Sequence, residues 1–144
     1  MLYTWSVETE RFEELARELA AQHPGLAAEL AEVHEAAEHL RDLAHAMLEA
    51  FKRVARAADA EYLTQLEVGP VEPDEKHVDC IQFRVARGRW EFMCVVKAKK
   101  TVTLVGPFCR GKPEKPCSDH PLRGEQVERA LEDLLAHLIR AASE

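Results

Sequence analysis

Residues 109–120 read Cys-Arg-Gly-Lys-Pro-Glu-Lys-Pro-Cys-Ser-Asp-His. Thiolate and imidazole are the ligands that zinc prefers, in a tetrahedral arrangement. Cys117 and His120 have the spacing of a chelating pair, and Cys109 can return to them across the loop. Cys109, Cys117 and His120 are therefore the candidate zinc ligands. A fourth ligand must come from elsewhere, with His77, Cys80 and Asp119 as the candidates. Arg110, Lys112 and Lys115 offset thiolate charge but raise the electrostatic cost of a dication. The plainer reading is a Pro-rich surface loop with two ordinary cysteines. A local Cys109–Cys117 disulfide, as in a hyperthermophile, is a third. Zinc is the one metal the sequence suggests, and no other cofactor is expected.

The same region contains Gly106-Pro107-Phe108-Cys109-Arg110-Gly111-Lys112, which matches the start of a phosphate-binding loop, G-x-x-x-x-G-K. The context fails. Pro113 stands where Ser or Thr would bind magnesium, and no helix N-terminus follows to hold phosphate. What remains is a basic loop able to contact anions.

His34, Glu38, Asp42 and His45 fall on one arc of a helix, because 100° per residue brings these spacings together. Di-metal bundles use Glu and His in this way. Here the arc lies away from the apolar seam, and only Asp42 and His45 make an acid-x-x-His pair. A solvated polar face is expected. Cys94 alternates with aromatic residues, as a packed thiol does. Cys80 sits beside Arg84 and Lys97 in the strand pattern, where cations would lower its pKa; the plainer reading is an unreactive strand cysteine. The histidines suggest no triad, so the sequence leans away from an enzyme.

Charge is segregated. Residues 1–75 carry 17 acids and 6 bases, residues 76–123 carry 4 acids and 11 bases, and residues 124–144 carry 5 acids and 2 bases. The plainer reading is that helices carry Glu and strands carry Lys and Arg, as sheet edges often do; the sharper one makes Arg84, Arg87, Arg89, Lys97, Lys99, Lys100, Arg110 and Lys112 a candidate surface for an anion or an acidic partner, with Lys115 beside them. Nucleic acid is the alternative ligand. Single-strand binding would need aromatics among those bases, whereas Trp90 and Phe92 alternate with the exposed positions.

These residues have to be positioned by a chain of 144 residues, 47% hydrophobic and 31% charged, which suits one domain, 1–144, with one core. The most ordered pattern is at 26–58. Leu26, Leu30, Val33, Ala37, Leu40, Ala44, Met47, Phe51, Val54 and Ala58 recur in alternating steps of four and three. That is the period of a coiled-coil seam. A helix is also expected over 6–22, capped by Ser6 and stopped at His23-Pro24-Gly25. The short connection predicts an antiparallel hairpin that covers the first half of the seam. The second half is left needing cover from the sheet, the last helix or a second subunit; in a homodimer, Leu43, Met47, Phe51 and Val54 are the expected interface, with Phe51 near its centre.

Alternation replaces the helical period at 62. Four strands are expected across 62–106, followed by a Pro/Gly/Cys loop at 107–124 and a helix over 125–142. A two-residue loop at 87–89 would put Ile81, Phe83 and Val85 on one face with Trp90, Phe92 and Cys94. The expected fold is α+β: a helical arm (6–60) with a long coiled-coil-like second helix, a four-stranded antiparallel sheet, and a C-terminal helix on it. The N-terminus lacks the pattern of a signal peptide, and no run reaches membrane-span length, so a cytoplasmic protein without membrane contact is expected. The absence of Asn fits a thermophile and a GC-rich genome equally. The function expected is a small interaction module (adaptor, regulator or chaperone-like), homodimeric through the long helix, with a basic sheet face for an acidic partner protein.

Overall fold

The structure, a computed structural model, describes residues 9–144. Helix α1 spans Thr9–Ala21 and α2 spans Leu26–Ala57. A short 3-10 turn at Glu61–Leu63 leads to the strands β1 (Glu67–Val68), β2 (Glu72–Pro73), β3 (Cys80–Arg87), β4 (Trp90–Lys97), β5 (Thr101–Cys109) and β6 (Cys117–Pro121). Helix α3 (Glu125–Ala142) closes the chain. The expected cap Ser6 lies outside the described residues.

The fold is α+β with an antiparallel sheet, but of six strands rather than four. The order is β1-β3-β4-β5-β6, and β2 also pairs with β3. The segment 62–68, expected as one strand, is mostly a turn; Thr64 and Leu66 are buried there and only Glu67 and Val68 pair with β3. The region 107–124, expected as a loop, contains the end of β5 and all of β6.

The β3–β4 hairpin has the expected two-residue loop. Gly88, at φ 59°, takes the first central position, where a tight hairpin turn needs a residue free of Cβ strain. Pairing of Phe83 with Cys94, Val85 with Phe92 and Arg87 with Trp90 puts these side chains on one face. Both α2 and α3 pack on that face.

Helix α2 contains no Gly or Pro over its 32 residues, and about 1.5 Å per residue makes it roughly 48 Å long. The seam finds a different cover from the one expected. Val33, Ala36, Ala37, Leu40 and Ala44 are buried in the core shared with the sheet and α3. The small alanines let the helix lie close to the strands, which a broad apolar sheet face rewards more than one neighbouring helix can. Helix α1 therefore covers nothing. None of its side chains is buried, and Phe12, Leu15 and Leu19 are exposed by 60%, 43% and 47%. Further along α2, Leu43, Met47 and Phe51 pack against the core while only partly buried, and Val54 is 64% exposed. Helix α3 buries Val127, Leu131, Leu134, Leu135 and Leu138, the stripe its sequence period requires.

Candidate functional site

With both helices on one side, the other face of the sheet is open to whatever its own loops build over it. Gln82 and Arg84 of β3 and Glu91 and Met93 of β4 lie on this open face, as the hairpin register dictates. They floor a groove of about 480 Å³. Asp74, Glu75, Lys76 and His77 of the β2–β3 loop form one wall. Arg110, Lys112 and Lys115 of the β5–β6 loop form the other.

A bulge in β5 shapes the second wall. The register shifts between Glu91 and Met93, so Glu91 faces Phe108 while Met93 faces Val105. Leu104 points at the helices, and a regular strand would send Phe108 the same way, four residues on. The extra residue turns Phe108 to the open face instead. Gly106 makes the bulge fit. It has φ 120°, and a Cβ there would stand 3.0 Å from the Glu91 carbonyl oxygen and 3.1 Å from Phe92 Cβ. Beyond it, Lys115 Nζ lies 5.1 Å from the centre of the Phe108 ring, a cation over an aromatic face.

Glu91 is the centre of the groove. It is 3% exposed overall, and its side chain is 5% exposed. One carboxylate oxygen, Oε1, lies 3.3 Å from Arg84 Nη1; the other, Oε2, lies 3.7 Å from Arg110 Nε. Arg110 Nη2 also donates to the Gly88 carbonyl at 3.0 Å, which fixes the guanidinium over the hairpin end. A buried carboxylate is tolerable only when paired, and here two guanidinium groups share it. Gln82 is the other buried polar residue of the floor, at 3% exposure. The lining holds five cations, Lys76, Arg84, Arg110, Lys112 and Lys115, against three carboxylates, Asp74, Glu75 and Glu91. The lining has no hydroxyl or thiol nucleophile. Cations therefore outnumber carboxylates along the groove.

The basic surface read from the sequence is thus divided. Arg84, Arg110 and Lys112 meet in the groove. Arg87 does not; it points to the helix side, where Nη1 donates to the Ala142 carbonyl at 2.8 Å and Nη2 to the Tyr62 carbonyl at 3.1 Å. Arg89 is exposed in the hairpin turn. Lys97, Lys99 and Lys100 stand at the opposite end of the sheet, and Lys100 Nζ is 3.7 Å from Glu32. Sequence reasoning missed Gln82, Glu91 and Lys76. The available signal was Glu91 itself, a carboxylate between Trp90 and Phe92 in a strand with no other acid.

Cys109, Cys117 and His120 are not brought together. Cys109 pairs with Trp90 at the end of β5, whereas Cys117 and His120 pair with Val105 and Val102. Three residues along a strand put Cys117 and His120 on opposite faces. Among the described residues no group of three His, Cys, Asp or Glu side chains is placed to hold a metal ion. Ser118 Oγ lies 2.8 Å from His120 Nε2, and Thr103 Oγ1 donates to Asp119 at 2.6 Å on the other face. His34, Glu38, Asp42 and His45 are exposed; His34 and Glu38 approach to 3.9 Å, and His45 pairs at the same distance with Glu49.

The thiols differ sharply. Cys94 is fully buried, and desolvation raises its pKa strongly. Cys80, despite the basic neighbours that would lower it, is pushed up to about 11. Burial is the main cause; the hydrogen bond to Asp79 at 3.5 Å and the negative charges of Asp79 and Asp74 add to it, outweighing Lys97. Cys109 is half-buried and Cys117 exposed.

Among the described residues no helix is long and apolar enough to cross a membrane. Comparison of the chain with family models, with curated proteins and with solved structures finds no match.

Proposed function

We propose that this chain is a small protein–protein interaction module that holds an acidic segment of its partner in the groove over Glu91. The observation that carries this reading is the convergence of Arg84 and Arg110 on one buried carboxylate, with three lysines around them. Glu91 holds both guanidinium groups in place before any ligand arrives, so little side-chain entropy is left to lose on binding. An incoming carboxylate then meets preorganised donors suited to bidentate contact. Nucleic acid is the weaker ligand here, because Phe108 is 3% exposed and Trp90 lies on the helix side, leaving no aromatic in the groove free to stack.

In this reading the module is a homodimer. Two copies pair in coiled-coil fashion along the unfilled edge of α2, at Leu43, Met47, Phe51 and Val54.

The test of the groove is a titration of isotope-labelled protein with an octapeptide of alternating Asp and Glu, followed by NMR. Shifts are expected at Gln82, Arg84, Glu91 and Arg110, and affinity should fall as salt screens the charges. Arg84→Ala and Arg110→Ala should each weaken binding about tenfold, the worth of one charge-assisted hydrogen bond. The reading fails if these residues do not respond at low salt, or if an oligo-dT strand binds more tightly than the peptide.

A further inference from the structure

Helix α1 is the one element of the described chain with an apolar stripe and nothing on it. Phe12, Leu15 and Leu19 follow steps of three and four and remain 43–60% exposed. A helix of 13 residues without tertiary packing is marginal in water. The stripe therefore calls for a surface of matching period.

Such a surface exists at the far end of α2, where Met47, Phe51 and Val54 repeat steps of four and three and Val54 is 64% exposed. The helix α1 of the same chain cannot reach it. Folded back along α2 from the turn at 22–25, α1 extends about 20 Å, whereas Phe51 stands about 38 Å from the start of α2, at about 1.5 Å per residue. Only the α1 of another copy can lie there.

Charge selects the arrangement. Residues 9–21 carry four acids and two bases, and residues 26–42 carry five acids and one base. Residues 43–58 carry one acid and three bases, Lys52, Arg53 and Arg56. Two arms side by side in opposite directions therefore set the acidic half of each against the basic half of the other. The groove beside Leu43 and Met47 is rimmed by Glu125, Glu128 and Glu132 of α3 against one base, Arg129, a net negative rim that an acidic α1 avoids. Around Val54, Arg56 lies 3.4 Å from Glu61 and Lys52 lies 3.9 Å from Glu49, so Arg53 is the base that an incoming acidic α1 meets there.

We infer that two copies of this chain associate by reciprocal arm exchange: α2 lies antiparallel to α2 of the second copy, and each α1 covers Phe51 and Val54 of the other. The contact is self-complementary and closes at two copies. The inference rests on the homodimer part of the reading above and adds the element that makes the contact.

Light-scattering chromatography at tens of micromolar tests it. The wild type should be a dimer that high salt weakens. Phe12→Asp and Val54→Asp should each give monomers while leaving the NMR signals of β3 to β5 in place, because neither side chain is buried in its own chain. Phe51 is a poor target, since it also packs on the core. The decisive measurement mixes the two variants. A mixed pair keeps one intact contact, between α1 of the Val54→Asp chain and α2 of the Phe12→Asp chain, so mixing should restore dimers. A wild-type monomer overturns both the exchange and the homodimer, as does a monomer whose α1 is protected only by added phosphatidylcholine vesicles. A dimer that survives Phe12→Asp, or variants that stay monomeric when mixed, overturns the exchange and leaves a homodimer built on α2 alone.

Discussion

Arg84 Nη1 stands 3.3 Å from Oε1 of Glu91, a carboxylate whose side chain is 5% exposed, while the arginine remains 43% exposed. The acid is committed to the protein and the base is half committed to solvent. That asymmetry sets what each removal does. Arg84→Ala leaves the buried carboxylate with only the longer contact from Arg110, and should cost about 1–3 kcal/mol in urea unfolding. Glu91→Gln keeps the shape but releases both guanidinium groups from their anchor, so it should weaken binding of the acidic octapeptide several-fold. Calorimetric titration of Glu91→Gln that shows equal or stronger binding would contradict the preorganisation of the groove.

Gly106 is the hinge of the bulge that turns Phe108 and Arg110 to the open face. Gly106→Ala places a methyl 3.0 Å from a backbone oxygen at φ 120°. The expected loss is about 2–4 kcal/mol, from steric overlap and backbone strain together. Gly25→Ala meets nothing within 4 Å and carries only the strain of φ 77°, so it should cost about 1 kcal/mol. Paired urea melts of the two variants measure the difference.

The four thiols should separate by reactivity. Cys117 is exposed and Cys109 half-buried, whereas Cys80 and Cys94 are buried with raised pKa values. Only the thiolate attacks an alkylating agent. Mass spectrometry after iodoacetamide at pH 8 should find Cys117 modified first, Cys109 next, and the other two only after unfolding.

The raised pKa of Cys80 also fixes a pH dependence. The unfolded chain loses this proton near the ordinary value of 9.0, the folded chain near 11. Between the two the folded state binds more protons than the unfolded one, so stability is whole below the lower value and falls as pH rises. The slope attributable to Cys80 is about 1.4 kcal/mol per pH unit over that window. Cys80→Ser should flatten it, as compared in urea melts between pH 8 and pH 11.

Arg87 offers a separation of stability from binding. It spans the Ala142 and Tyr62 carbonyls on the helix side and takes no part in the groove. Arg87→Ala should lower stability by about 1–2 kcal/mol and leave octapeptide affinity unchanged. Loss of affinity equal to that of Arg84→Ala would place the binding surface elsewhere.

The parts of this fold that were legible are those governed by period. The long helix is read from its unbroken steps of four and three, and the hairpin register follows from two residues of loop. Period does not say what fills the seam. Val33, Ala37 and Leu40 look the same in sequence whether a helix or a sheet covers them, and here the sheet does. Strand β6, Cys-Ser-Asp-His-Pro, has no apolar alternation, and is a strand because β5 offers it a ladder. The groove was half legible. Composition marked Arg84, Arg110 and Lys112, but a single bulge decides which of the basic residues meet, and parity on β6 decides that Cys117 and His120 do not.

The two margins of the sheet have a consequence of their own. On one side the outer strand is broken at Gly69-Pro70; Arg41 takes the Gly69 carbonyl at 2.9 Å and reaches the Val68 carbonyl at 3.5 Å. On the other, β6 is preceded by Pro116 and ends on Pro121, residues with no amide hydrogen to give. Neither margin offers a long run of free backbone groups, so the ladder is terminated rather than merely finished. Short, interrupted edges of this kind disfavour lateral polymerisation by strand stacking. They leave side chains, on the helices and across the open face, as the favoured means of assembly.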